Sequence, residues 1–221
     1  MAKGKFITFE GGEGVGKTTQ IRLLSKRLNA AGIETIHSRE PGGSAGAEAV
    51  RHVLLSGMAE NMGMSPAGEA ILFAAARADH VDTTIRPALE KDTWVLCDRF
   101  MDSTRVYQGE SDNVPSELID SLEKLAIDGM VPDLTFILDL RAEIGLARAH
   151  KRRPDGEEAD RFERETVSVH EKRRQAFLKL AQRDPKRCKI IDASQSEEEI
   201  AFDIWTIIER ELLADQTGIE G

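Results

Sequence analysis

Gly11-Gly12-Glu13-Gly14-Val15-Gly16-Lys17-Thr18 is the stretch on which the reading of this chain turns. It fits the pattern G-x-x-x-x-G-K-[ST], with Gly11, Gly16, Lys17 and Thr18 in the constrained places. Glycines let the backbone aim several N–H groups at one anion, through φ/ψ regions that other residues avoid. A lysine in this place reaches the β- and γ-phosphates of a nucleotide, and the hydroxyl after it takes a position on Mg²⁺. The flanks agree. Lys5-Phe6-Ile7-Thr8-Phe9-Glu10 is a short apolar run, and Ile21, Leu24, Leu28 and Ala31 recur downstream at helical spacing. Strand, glycine loop and helix in that order point the positive end of the helix at the phosphates.

Outward from this loop, strands and helices alternate. Apolar runs at 33–38, 93–97, 134–140 and 189–191 read as strands beside the first at 5–10. Helices are expected over 45–56, 66–91, 102–108, 115–128, 143–151, 161–182 and 197–214. Nearly continuous apolar strands separated by helices mean a parallel sheet covered on both faces. The expected fold is α/β of the P-loop NTPase class, with five parallel strands and the cleft at their carboxyl ends. Residues 1–214 read as a single domain with a mobile lid at about 148–164, and 215–221 as a C-terminal tail.

Composition bounds the function. The net charge of −9 argues against nucleic acid as a partner, because that footprint is basic. No apolar stretch reaches the 18 or so residues of a membrane span, and the first apolar run stops at Glu10, too soon for a signal peptide. Cys97 and Cys188, the two cysteines, sit in apolar runs and read as reduced core residues of a cytoplasmic protein.

Three further clusters carry chemistry. Asp98-Arg99 follows the apolar run 93–97, where proteins with this loop place the carboxylate that organises Mg²⁺. Arg99 adds a fork of donors suited to phosphate oxygens; the plainer reading is a surface ion pair. On the long helix, Ile71, Ala74, Ala78, Ile85 and Leu89 form the expected core stripe. Phe73 lies on the order of 130° away, on one face with Arg77, His80 and Thr84. A Phe with an Arg one turn later suits a flat ligand, the ring stacking and the guanidinium donating in plane. A second packing surface is the alternative, and His80 is expected near solvent or a partner. Finally, Arg148, His150, Lys151, Arg152, Arg153, Arg161 and Arg164 crowd a segment broken by the turn Pro154-Asp155-Gly156. A basic lid closing over a triphosphate fits, as does a solvated helical face paired with Glu157, Glu158 and Glu163.

Together these residues resemble the thymidylate kinases, within the nucleoside monophosphate kinases, over nearly the whole chain. The matching runs are 9–19, Arg39-Glu40-Pro41-Gly42-Gly43, Leu72-Phe73-Ala74-Ala75-Ala76-Arg77-Ala78-Asp79-His80, Asp98-Arg99-Phe100, Ser103-Thr104-Arg105-Val106-Tyr107-Gln108-Gly109 and Asp160-Arg161-Phe162-Glu163. The resemblance implies transfer of phosphate from ATP–Mg²⁺ to thymidine monophosphate (dTMP), giving dTDP, and a homodimer. It implies ATP on Gly11, Gly12, Glu13, Gly14, Val15, Gly16, Lys17, Thr18 and Thr19, with Mg²⁺ at Thr18 and Asp98. Phe73 would stack on thymine while Arg77 donates to its O4, with Thr104 and Gln108 beside the base. Tyr107 would sit against the sugar, Arg99 would bridge the phosphates, and Arg39 and Pro41 would shape the acceptor side. Glu13 would meet the 3′-hydroxyl or the waters of the metal. The family has a catalytic arginine either in the phosphate loop or in the lid. With Glu13, Gly14 and Val15 in the loop, this chain looks like the bacterial lid design, and Arg153 is the favoured finger. The alternatives are a kinase for another monophosphate or a deoxynucleoside, and a regulatory ATPase; no Asn-Lys-x-Asp motif supports a GTPase switch.

Overall fold

The computed structural model describes residues 3–109, 114–152 and 162–214. Five strands form one parallel sheet: β1 (Phe6–Glu10), β2 (Thr35–Arg39), β3 (Trp94–Asp98), β4 (Leu134–Asp139) and β5 (Cys188–Asp192), in the order β2-β3-β1-β4-β5. Their registers pair Arg39 with Asp98, Asp98 with Phe9, and Asp139 with Asp192. Charged carboxyl-terminal residues of the strands therefore collect along one edge, below the phosphate loop.

Ten α-helices are described: α1 (Lys17–Ala30), α2 (Ala45–Leu55), α3 (Met58–Asn61), α4 (Pro66–His80), α5 (Arg86–Glu90), α6 (Met101–Tyr107), α7 (Ser116–Ile127), α8 (Ala142–Arg152), α9 (Val167–Arg183) and α10 (Glu197–Ile208). Side chains alternate across a strand, so the central strands feed cores on both faces of the sheet. Ile7, Phe9, Leu96, Phe136 and Leu138 pack on one face with α1 and α10, while Phe6, Val95, Cys97 and Phe100 pack on the other with Val81 and Ile85. Both cysteines are buried and unpaired, as expected. Among the described residues, no helix is long and apolar enough to cross a membrane.

Three expected helices are corrected, the one over 197–214 because α10 ends at Ile208 and a π-helical turn, Glu209–Leu213, follows it. The one expected over 66–91 is interrupted by a π-helical turn, Val81–Ile85, between α4 and α5. The one expected from 161 starts at Val167; Thr166 is extended (φ −70°, ψ 153°) and ends the preceding turn. The core stripe also departs from a simple wheel. Ile71 is 49% exposed, whereas Arg77 and His80 are buried. Helix α4 packs between α2 and α7, so two of its sides are covered, and buried polar partners await Arg77 and His80.

Candidate active site

The phosphate loop leaves β1 at Glu10 and enters α1 at Lys17. Gly16, the N-cap of α1, is left-handed (φ 98°) and supplies no side-chain cap, so the first N–H groups of the helix face the cleft. A Cβ on Gly14 (φ 67°) would run into the Gly145 carbonyl of α8. The loop is thus seated backbone to backbone on the helix that leads into the segment expected as a lid. Lys17, almost wholly buried, donates to the Gly12 carbonyl at 2.9 Å; burial foremost, then the Arg99 charge, pushes its pKa down.

Asp98 and Arg99 end β3 beside this loop. Thr18 Oγ1 donates to Asp98 Oδ2 at 2.9 Å, and Lys17 Nζ lies 4.0 Å from Asp98 Oδ1. Two hard oxygens at this spacing fit adjacent vertices of a Mg²⁺ octahedron, about 2.9 Å apart for bonds near 2.05 Å. Arg99 adopts a left-handed backbone (φ 70°). Glu10 braces that turn: Oε1 accepts from the N–H groups of Phe100 at 2.8 Å and Ser103 at 3.2 Å, and Oε2 from Ser103 Oγ at 2.6 Å.

Arg99 donates to the Gly11 carbonyl at 3.0 Å and to Glu13 Oε1 at 2.5 Å, and Tyr107 donates to the same oxygen at 3.3 Å. Two carboxylates three residues apart are driven in opposite directions. Burial, reinforced by the Asp102 charge, lifts Glu10 to about 7. Burial works the same way on Glu13, but the Arg99 guanidinium and then Lys17 hold it down at about 2.

Farther along the cleft, the guanidinium carbons of Arg99 and Arg173 lie 5.1 Å and 4.2 Å from the centre of the Tyr107 ring. Phe73 and Phe162 lie 6.4 Å apart, ring to ring. Arg77 donates from Nε to Glu40 at 2.7 Å, from Nη1 to Thr104 at 2.8 Å and from Nη2 to the Phe100 carbonyl at 3.1 Å.

These elements enclose a cleft of about 300 Å³. Of the residues singled out from sequence, Glu13, Gly14, Val15, Gly16, Lys17, Thr18, Arg39, Pro41, Phe73, Arg77, Asp98, Arg99, Thr104, Tyr107 and Gln108 line it. Gly11, Gly12 and Thr19 are not among the lining residues. Arg153 and Arg161 lie outside the described residues, while Arg152, at the end of α8, faces the cleft. Arg148 instead donates to the Ala193 carbonyl at 3.2 Å. His80, expected near solvent or a partner, is fully buried, because Glu40 and Ser38 supply partners inside. Sequence reasoning gave no role to Glu40, Arg51, Ser103 or Phe162, all of which reach the cleft. Glu40 precedes Pro-Gly-Gly and so reads as part of a turn; only its place in the quoted Arg-Glu-Pro-Gly-Gly run hinted at more.

The sequence model of the thymidylate kinase family matches residues 9–204. The chain belongs to the thymidylate kinase family. It is 54% identical over 211 residues to the thymidylate kinases of two Rhodopseudomonas palustris strains, TIE-1 and ATCC BAA-98 / CGA009, covering 96% of this chain and 91% of each relative. It is also similar to the crystal structure of thymidylate kinase from Ehrlichia chaffeensis, with a TM-score of 0.73 and 30% identity over 93% of this chain and 98% of that one. The five-stranded parallel sheet is the thymidylate kinase fold, and the two-ended cleft sits at the carboxyl ends of the strands, where open parallel sheets take their ligands.

Proposed function

We propose that the cleft holds ATP on the phosphate loop and dTMP against Phe73 and Arg77, and moves the γ-phosphoryl group between them. Phosphorylation of dTMP follows from membership in the family; the residue roles are the proposal. The observation that carries it is the pairing of an uncapped helix N-terminus at one end with a buried, purely donating arginine beside a ring at the other. Thymine presents an acceptor, O4, where cytosine presents an amino donor, so a guanidinium selects thymine.

In the reaction an oxygen of the acceptor phosphate attacks the γ-phosphorus in line, the bond to the bridging β–γ oxygen breaks, and ADP leaves. Lys17 and Arg99 lie where negative charge spreads over the phosphoryl oxygens. Residues 11–18 cradle the triphosphate, with Thr19 continuing the helix behind it. Thr18 and Asp98 would hold Mg²⁺, whose chemistry there is to neutralise phosphate charge. Glu13 orients Arg99, Tyr107 sits against the sugar, Thr104 and Gln108 flank the base, and Arg39 and Pro41 shape the acceptor-phosphate side. Arg153 is the proposed finger of a lid that excludes water. Residues 1–214 act as one catalytic domain. A homodimer and a cytoplasmic setting belong to the same reading, the latter supported by two buried, unpaired thiols.

A coupled assay of ADP release across the common nucleoside monophosphates tests this. dTMP is expected to be turned over at least on the order of tenfold faster than dCMP, dAMP or dGMP. Equal rates with dCMP, or ATP hydrolysis indifferent to any acceptor, would overturn it.

A further inference from the structure

Behind Arg77 runs a row of buried and half-buried polar side chains to which the roles above give no work. Glu40 follows β2 and is almost fully buried. Its Oε2 accepts from Arg77 Nε at 2.7 Å, and its Oε1 meets His80 Nδ1 at 3.0 Å. An ionised carboxylate only accepts, so His80 Nδ1 carries the hydrogen. The other ring nitrogen, Nε2, lies 2.5 Å from Ser38 Oγ. The loop after Glu40 is locked onto the same helix side. Thr84 donates to the Gly43 carbonyl at 2.8 Å, and a Cβ on Gly43 (φ 86°) would run into His80 and Ser38.

We infer that Glu40 sets the aim of Arg77, and through it the choice of pyrimidine, with His80 and Ser38 holding Glu40 in place. The inference rests on the reading of Arg77 as the residue that meets the base. A guanidinium is planar, so fixing Nε fixes the direction of the whole fork. Three of its five N–H groups are taken by Glu40, Thr104 and Phe100, which leaves one on each terminal nitrogen. Those two reject an amino group only while Arg77 cannot turn aside. Thr104 cannot discriminate by itself, because a hydroxyl both donates and accepts. Rigidity behind Arg77 therefore converts donor chemistry into selectivity. Glu40 is a positioning residue here; it touches the arginine and not the base.

A role limited to neutralising the Arg77 charge predicts something different, and two variants separate the cases. Glu40→Asp keeps the charge but withdraws the carboxylate by about 1.5 Å, one carbon–carbon bond, so it cannot reach Arg77 and His80 together. Glu40→Gln gives up the charge but keeps the shape. Its amide oxygen accepts from Arg77 and its amide N–H donates to His80 Nδ1 once the ring hydrogen moves to Nε2.

The readout is kcat/KM for dTMP over that for dCMP, with the KM for ATP as control. The ratio is expected to fall on the order of 10- to 100-fold in Glu40→Asp, since small misplacements carry costs of that size. It stays within about threefold of the parent in Glu40→Gln, where one hydrogen bond is exchanged for another. Retention of the ratio in Glu40→Asp with its loss in Glu40→Gln overturns the inference in favour of charge neutralisation. Should Glu40→Asp fail to fold, Ser38→Ala decides: about fivefold loss supports the relay and an unchanged ratio refutes it. Arg77→Ala with an unchanged ratio would strike the underlying reading of the base site, an outcome distinct from a failure at Glu40 alone.

Discussion

At the phosphate end of the cleft the lining comes from six consecutive residues, 13–18, joined by Asp98 and Arg99 at the end of β3. At the base end the lining comes from the end of β2 and the residues just after it, from the second half of α4 and from α6. The first end needs mainly a strand, a turn of glycines and a helix start, with one neighbouring strand end beside them. The second needs the tertiary fold to bring Glu40, Arg77 and Thr104 within hydrogen-bonding distance. One end recognises a charge that every nucleotide carries; the other recognises the edge of one base. Generic recognition is local in sequence, and specific recognition is assembled.

That contrast predicts separable failures. The largest loss is expected from Lys17→Ala, on the order of 10³-fold or more in kcat, because a buried cation at the transferring group acts in a water-poor site. Isothermal titration should still find dTMP bound with about its normal affinity. A large loss of dTMP affinity would mean that the two ends do not work independently. Arg77→Ala should do the reverse. Selectivity for dTMP over dCMP should drop on the order of 10²-fold while the KM for ATP stays put, measured by steady-state kinetics. Unchanged selectivity would take base reading away from Arg77.

The smallest effect concerns stability and the acid that joins the two ends. The folded pKa of Glu10, about 7, lies above its ordinary value of 4.5. Between those values the folded chain keeps a proton that the unfolded chain has lost. Its contribution is full below pH 4.5 and disappears as pH rises through 7, on the order of 3 kcal/mol in all. Glu13, held at about 2, works the other way: its stabilisation is present above pH 4.5 and is lost as pH falls toward 2. Urea melts of Glu10→Gln at pH 5 and pH 8 should therefore differ less than those of the parent chain. An identical pH dependence would show that Glu10 titrates normally.

What could be read before folding follows the same division. The strands and the phosphate loop were legible because apolar runs and glycine spacing are local signals. Phe73 and Arg77 were legible because a helical wheel placed them together, though the wheel also put Ile71 inside, where α4 leaves it exposed. His80 could not be placed, because its burial depends on a carboxylate 40 residues away. Glu40 looked like an ordinary turn acid, and Phe162 like the start of a helix that in fact begins at Val167. The basic cluster was visible as charge, but charge alone could not tell Arg148, tied to the Ala193 carbonyl, from Arg152 at the cleft.

The π-helical turn at Val81–Ile85 has a consequence for how the chain can vary. It sits directly after His80 and lets Val81 and Ile85 fill the core under the sheet while Arg77 and His80 face Glu40. Removing one residue there would restore an ordinary α-helical repeat and rotate one half against the other by about 100°. Either the apolar anchors or the polar pair would then swing out of register. The spacing between these two groups is thus a fixed phase offset, closed to insertion or deletion, even though substitution within the turn can be tolerated at its exposed positions, Asp82 and Thr83.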